Sequence, residues 1–226
     1  EVMQNQKLYQ EQAGRILSFG GDNPAEIRYN SEWLSWLTLE KTLAIASRMT
    51  VEQMLKRDMF EARQKDGKPI YLHEFFYPLL QGYDSISLNI DGEVGATDQT
   101  FNMLVGRTLA KQVNDKEKFV LTVKLLVDPS SGRKMGKTES NMVALTDTSG
   151  DMFGKVMSWP DGMITTGFEL LTEETQDELN TVAKQIDGGE FEKRLKALKI
   201  VFFDFVYQSY YFYYSTVRET REVIFL

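Results

Sequence analysis

The chain has 226 residues, 42% of them hydrophobic and 12% aromatic, enough apolar side chain to bury a core and too much for a disordered polymer. With no cysteine, disulfides and thiolate metal sites are excluded, and a single histidine, His73, argues against a zinc site. A net charge of -7 argues against wholesale non-specific nucleic-acid binding but leaves room for a local basic patch, and no apolar run is long enough to span a membrane.

Residues 1 to 19 have the spacing of a helix, with Leu8, Gln12, Ile16 and Phe19 on one face, closed by "GGDNP" and followed by an extended "EIRYN". From Ser31 to Arg63 the pattern is helical in at least two pieces, the second opened by Thr50 as N-cap. "KDGKP" at 65 to 69 is a loop, and "LHEFFYPLLQGYDS" is a helix that Pro78 either starts or kinks. "SISLNI" predicts a short strand and Asp91-Gly92 a turn. "TDQTFNMLVGRTLAKQVN" predicts an amphipathic helix opened by Thr97, and "FVLTVKLLV" at 119 to 127 a buried strand. The loop "GRKMGKTESN" leaves that strand, and from Asp147 the chain turns helical. Strand, helix, strand and loop in this order belong to a parallel α/β sheet, whose ligands sit beyond the carboxyl ends of the strands. The aromatic-dense stretch from 201 to 226 differs from everything before it, and is either buried against a partner or not native to the protein.

Three clusters carry chemistry. "YPLLQGYD" puts Tyr77, Gln81 and Asp84 at i, i+4 and i+7, on one helix face, where polar tips can meet a small ligand or simply flank a half-buried tyrosine. "GATDQ" at 95 to 99 lies at a turn into a helix, where small residues and backbone donors admit a nucleotide and where Asp98 also suits the helix dipole. "KMGKT" places Lys134, Lys137 and Thr138 around Gly136. A Walker loop would need glycine at 131, which is Ser131, leaving a phosphate-facing loop or a solvated basic turn. His73 reads as a packed helix residue, and the basic residues between 56 and 68 as a solvated face offset by Asp58, Glu61 and Asp66.

"KMGKT" resembles the "KMSKS" signature of class I aminoacyl-tRNA synthetases. Its surroundings, "LLVDPSSGRKMGKTESNMVAL" through "DMFGKVMSWPD", are similar to bacterial tyrosyl-tRNA synthetases nearly residue for residue. The resemblance covers about residues 1 to 200 and implies an α/β chain: part of a Rossmann-like parallel-sheet catalytic domain with a helical connecting insertion, followed by a helical segment. The implied divisions are 1-30, the end of the first half of the nucleotide-binding fold; 31-83, the connecting region and tyrosine-binding helix; 84-147, the second half with the KMSKS-like loop; 148-200, a helical linking region; and 201-226, the atypical tail.

By the same resemblance Tyr77 and Gln81 hold the α-amino group of tyrosine and Asp84 accepts from its hydroxyl. Gly95 and Asp98 meet the adenylate ribose, Gln99 lies near the amino-acid carboxylate, and Ala96 stands where a second glycine is usual. Lys134, Lys137 and Thr138 are assigned to the departing pyrophosphate. A charge pair about 4 Å apart is worth roughly 1 kcal/mol in water and about 4 at an effective dielectric near 20, so the loop is expected to close over ATP, with Gly132 and Gly136 allowing the movement.

The implied activity is a cytoplasmic tyrosine-tRNA ligase. It would use tyrosine, ATP with accompanying Mg2+ and tRNA(Tyr), hold no tight cofactor, and form a homodimer through "TVEQMLKRDMFEARQKDGKP". The HIGH motif of this class and a C-terminal RNA-binding domain are not found, so the chain resembles the middle of a longer enzyme and is expected to be inactive alone. The alternatives are a non-catalytic dimerisation or RNA-interaction module and a tryptophan-specific relative.

Overall fold

The computed structural model describes residues 9–129, 131–136, 142–172, 174–187 and 223–225. The chain divides into two compact units, one made of Arg28–Lys124 and the other of Glu1–Ile27 with Leu125–Leu226. The described chain opens on a short helix, α1 (Tyr9–Ala13), and then a three-residue strand, β1 (Glu26–Arg28). The helix expected over residues 1 to 19 is therefore described only from Tyr9, and it has ended by Gly14.

The unit Arg28–Lys124 begins with four short helices, where the sequence pattern predicted at least two pieces: α2 (Ser31–Leu34), α3 (Leu39–Ala46), α4 (Val51–Met54) and α5 (Asp58–Lys65). Local hydrogen bonds explain the breaks. The Thr38 hydroxyl accepts from the Lys41 N–H at 3.3 Å. Thr50 and Gln53 form a reciprocal capping box, at 3.2 Å from the Gln53 N–H to the Thr50 hydroxyl and 2.8 Å from the Thr50 N–H to the Gln53 carbonyl oxygen. Thr50 is thus the cap its sequence position predicts. Phe60 is fully buried, with Phe75 tilted against it at 5.2 Å and the guanidinium groups of Arg57 and Arg63 each 5.3 Å from its ring centre. Arg63 also forks onto Glu74, at 3.0 and 2.5 Å, and those bonds pull the Glu74 carboxyl down to about 2. Two of the cations read as a solvated face are therefore packing and pairing groups.

A 3-10 turn at Leu72–Phe75 feeds helix α6 (Phe76–Leu88). Pro78 is in the first turn of that helix, where its missing N–H costs nothing, so it starts the helix and does not kink it. Asn89, at φ 51°, ends α6 in the left-handed conformation. Strand β2 (Gly92–Ala96) follows, then a 3-10 turn at Thr97–Gln99, helix α7 (Thr100–Asn114) and strand β3 (Phe119–Val123). The strand expected at residues 85 to 90 is a correction: those positions lie largely in α6, because Ser85 is buried and Ile86 packs into the core at helical spacing from Leu79 and Tyr83.

Strands β2 and β3 pair in parallel, Gly92 opposite Phe119 through Ala96 opposite Val123, with α7 as the crossover. The α/β class with a parallel sheet is therefore present. The strand predicted over 119 to 127 is shorter, stopping at Val123, and Phe119, Leu121 and Val123 are exposed on one face while Val120 and Thr122 alternate with them. Ile45, Met54, Leu79, Val105 and Leu109 form the buried core beneath the helices.

In the other unit the chain from Leu126 to Met135 folds back on itself. Val127 bridges Lys134 antiparallel, the Asp128 N–H donates to the Arg133 carbonyl at 2.9 Å, and the Gly132 N–H to the Asp128 carbonyl at 2.8 Å. Gly132 sits at φ 68°, the left-handed conformation this tight return requires. Among the described residues, three helices follow: α8 (Ser149–Met157), α9 (Asp161–Leu171) and α10 (Gln176–Asp187). Val156, Trp159, Met163, Ile164, Phe168 and Leu179 make their core, and Leu126 and Met135 pack against it, so the arm of the return is anchored on helical packing. Of the aromatic tail, only a short strand, β4 (Val223–Phe225), lies within the described residues.

Candidate functional site

Helix α6 carries the first cluster, and its face runs from solvent to core. Tyr77 is 63% exposed, Gln81 is half-buried, and Asp84 is only 6% exposed. Seven residues at about 1.5 Å each separate Tyr77 from Asp84 by roughly 10 Å along the axis. The three tips are thus spread along the face, with one acid at its inner end.

Asp84 is held by two residues far away in sequence. The Trp33 indole N–H donates to its Oδ1 at 2.6 Å, and the Asn30 amide reaches Oδ2 at 3.5 Å. Burial pushes the Asp84 carboxyl above the usual range, the Trp33 and Asn30 bonds pull the other way, and the negative charge of Glu93 adds to the rise. A carboxylate so placed has one oxygen well occupied and the other on a long contact, which leaves acceptor capacity for one more donor.

Gln81 lies at the centre of a polar network. Its carbonyl oxygen accepts from the Asn102 amide at 2.8 Å, and its nitrogen faces Glu93 Oε1 at 3.4 Å. Asn102 also reaches the Gln99 carbonyl oxygen at 3.5 Å, so Gln81 and Gln99, predicted from separate motifs, share a neighbour. The Lys118 ammonium pairs with Glu93 Oε2 and donates to the Ser85 hydroxyl at 2.9 Å, and Ser85 donates to Glu93 at 3.2 Å. Lys118 is completely buried at its side chain.

Gly95 is near the end of β2, and a Cβ there would lie 2.9 Å from the sulfur of the buried Met103, so a larger residue would have to displace that side chain. Ala96 has φ -74°, a conformation open to any residue, and its methyl group imposes no backbone strain. Asp98 and Gln99 lie in the 3-10 turn that leads into α7. Lys134 belongs to the antiparallel return of the other unit and is exposed. Lys137 and Thr138 lie outside the described residues. His73 lies exposed in the 3-10 turn with its ring 6.0 Å from that of the exposed Tyr71, so it is not the packed helix residue its sequence context suggests.

The motifs did not reveal Trp33, Asn30, Asn102, Ser85, Glu93 or Lys118. Asn102 had a local signal, since it lies three residues after Gln99 on the same helical turn. Glu93, a charge between two apolar or small strand residues, had a weaker one.

The sequence profile of the tRNA synthetases class I (W and Y) matches residues 1–205. The tyrosine-tRNA ligase of Carboxydothermus hydrogenoformans is 42% identical over 196 residues, which are 86% of this chain and 46% of that protein. That of a Synechococcus species is 46% identical over 172 residues, 76% of this chain and 42% of the relative. The chain thus spans about half the length of the curated relatives it matches. Among solved structures, a C-terminally truncated mitochondrial tyrosyl-tRNA synthetase of Coccidioides posadasii aligns with TM-score 0.54 at 19% identity, covering 81% of this chain and 56% of that one. A tyrosyl-tRNA synthetase of Archaeoglobus fulgidus complexed with L-tyrosine aligns at 0.55 and 17% identity, covering 81% and 64%. At those identities the structures speak for the fold, which is the Rossmann-like α/β fold predicted from the sequence. With its profile matched along most of its length, the chain belongs to the class I tRNA synthetases of the tryptophan and tyrosine group.

Proposed function

We propose that this chain forms part of a tyrosine-tRNA ligase and contributes the wall of the site that reads the amino acid. The observation that carries the reading is Asp84, a buried carboxylate at the inner end of an α6 face whose outer end is wet. An elongated ligand with an ammonium at one end and a hydroxyl at the other fits that gradient. Its ammonium would lie by Tyr77 and Gln81, and its phenolic hydroxyl would donate to Asp84 on the oxygen that Asn30 holds only at 3.5 Å. A ligand without the hydroxyl would leave the acceptor unpaired, and enzymes built this way reject it strongly. The discrimination of tyrosine from phenylalanine is a known property of this enzyme class.

In the reaction the tyrosine carboxylate attacks the α-phosphate of ATP and pyrophosphate leaves. A hydroxyl of the terminal adenosine of tRNA(Tyr) then takes the tyrosyl group and AMP leaves. Gln99 is assigned to the carboxylate, Gly95 and Asp98 to the adenylate ribose, and Lys134, Lys137 and Thr138 to the charge growing on pyrophosphate. Magnesium enters with the ATP phosphates; among the described residues no cluster of three or more metal-ligating side chains forms a site for it. The connecting segment from Thr50 to Pro69 is assigned to a homodimer contact. Catalysis belongs to a longer protein than these 226 residues, and its setting is cytoplasmic translation. The five divisions read from the sequence are kept as its functional regions.

The test is amino-acid-dependent ATP–pyrophosphate exchange by the protein that carries this chain, with tyrosine and tryptophan compared. Exchange driven by tyrosine is expected. Exchange driven by tryptophan alone would assign the chain to the sister specificity, and absence of exchange with either would support a non-catalytic module.

A further inference from the structure

The proposed chemistry assigns no role to the buried Lys118–Glu93 pair, yet Glu93 faces the Gln81 amide at 3.4 Å. Glutamine and asparagine amides can turn over with little change of shape, so their donor and acceptor ends are set by neighbours. A carboxylate only accepts. Glu93, held against the Lys118 ammonium and the Ser85 hydroxyl, therefore demands the nitrogen of Gln81. With the nitrogen there, the Gln81 oxygen faces Asn102, which must present its own nitrogen, and that nitrogen also turns the Gln99 oxygen toward it.

We infer that the Lys118–Glu93 ion pair is a positioning device that fixes the polarity of three amides in sequence, Gln81, Asn102 and Gln99. The functional part rests on the reading of the site given above. An amide turned this way keeps an acceptor oxygen at Gln81, as an ammonium requires. It also turns the Gln99 nitrogen away from Asn102, which suits a carboxylate. Gly106 supports the device sterically: a Cβ there would meet the Lys118 ammonium at 2.8 Å and the Ser85 hydroxyl at 2.9 Å, so the room for the buried ammonium depends on glycine.

The first test needs no ligand. In protein labelled with 15N at glutamine side chains, the Gln81 amide protons are expected to exchange with solvent at least tenfold more slowly than those of exposed Gln64. Exchange as fast as at Gln64 would overturn the inference. The second test compares binding of L-tyrosine and of its analogue lacking the amino group, 3-(4-hydroxyphenyl)propanoate, in the parent and in Glu93→Gln, which accepts either amide orientation. Tyrosine is expected to weaken at least tenfold and the analogue less than twofold. Equal weakening of both, or of neither, would overturn the inference. If the parent binds neither ligand, the tyrosine reading fails, and the exchange rate of the Gln81 amide in Glu93→Ala decides the inference: at least tenfold faster exchange than in the parent is expected, and an unchanged rate would overturn it.

Discussion

Asp84 shows what a specificity residue costs when its ligand is away. The carboxylate is buried, its Oδ2 is held only by the long Asn30 contact, and desolvation raises its affinity for a proton above that of the unfolded chain. The folded form therefore binds the proton more tightly, so stability falls as pH rises from the unfolded value through the folded one, and the penalty is complete above it. Asp84→Asn removes the titration and keeps an oxygen for the Trp33 indole. Its melting temperature at pH 7 is expected to exceed that of the parent by a few degrees, at roughly 2–4 °C per kcal/mol for a chain of this size, with the gap closing as pH falls below the unfolded carboxylate range. Parallel thermal melts at neutral and acid pH check this, and a lower melting temperature for the variant at pH 7 would contradict it. The periodic spacing of Tyr77, Gln81 and Asp84 was readable from the sequence, because helical geometry alone puts them on one face. The donors to Asp84 were not, since Trp33 and Asn30 lie 51 and 54 positions away and only tertiary packing brings them close.

At the scale of elements, the site depends on how closely α6 and α7 approach. A Cβ on Gly82 would lie 2.8 Å from a Leu109 methyl and 3.2 Å from the Gly106 Cα, while one on Gly106 would meet Lys118 and Ser85. Gly106→Ala is expected to destabilise the chain by about 1–3 kcal/mol, the usual cost of overpacking, because the groups it meets are tied into an ion pair. Gly82→Ala is expected to cost more, since its Cβ would also press on the Gly106 backbone, which cannot turn aside, and on the fully buried Leu109. Urea unfolding of both variants orders them, and equal midpoints would contradict the argument. Most element types were legible: the α7 helix, the parallel β3 strand and the Thr50 cap each had a local signal. The segment 85 to 90 misled because its alternation of small and apolar residues also satisfies a helix, and burial of Ser85 with packing of Ile86 settled the choice. The run at 119 to 127 misled in the other direction. Its continuous apolar content suggested burial on both faces, whereas β3 exposes Phe119, Leu121 and Val123.

At the scale of the whole molecule, the chain carries two compact units, and the residues assigned to the amino acid all lie in Arg28–Lys124, while Lys134 lies in the other. Composition excluded disulfides, and the motif resemblance pointed to the family that the profile match establishes. The polar network under Gln81 was beyond the sequence, because its members come from a helix, a strand, a second helix and a loop with no shared motif. The central claim is that Asp84 selects the amino acid by its hydroxyl. Its most direct measurement is the ratio of kcat/KM for tyrosine and phenylalanine in ATP–pyrophosphate exchange, in the protein carrying this chain and in its Asp84→Ala variant. Loss of a hydrogen bond to a charged group, about 1.5–3 kcal/mol, predicts a fall of roughly 10- to 150-fold for tyrosine with little change for phenylalanine. An equal fall for both amino acids would contradict the account.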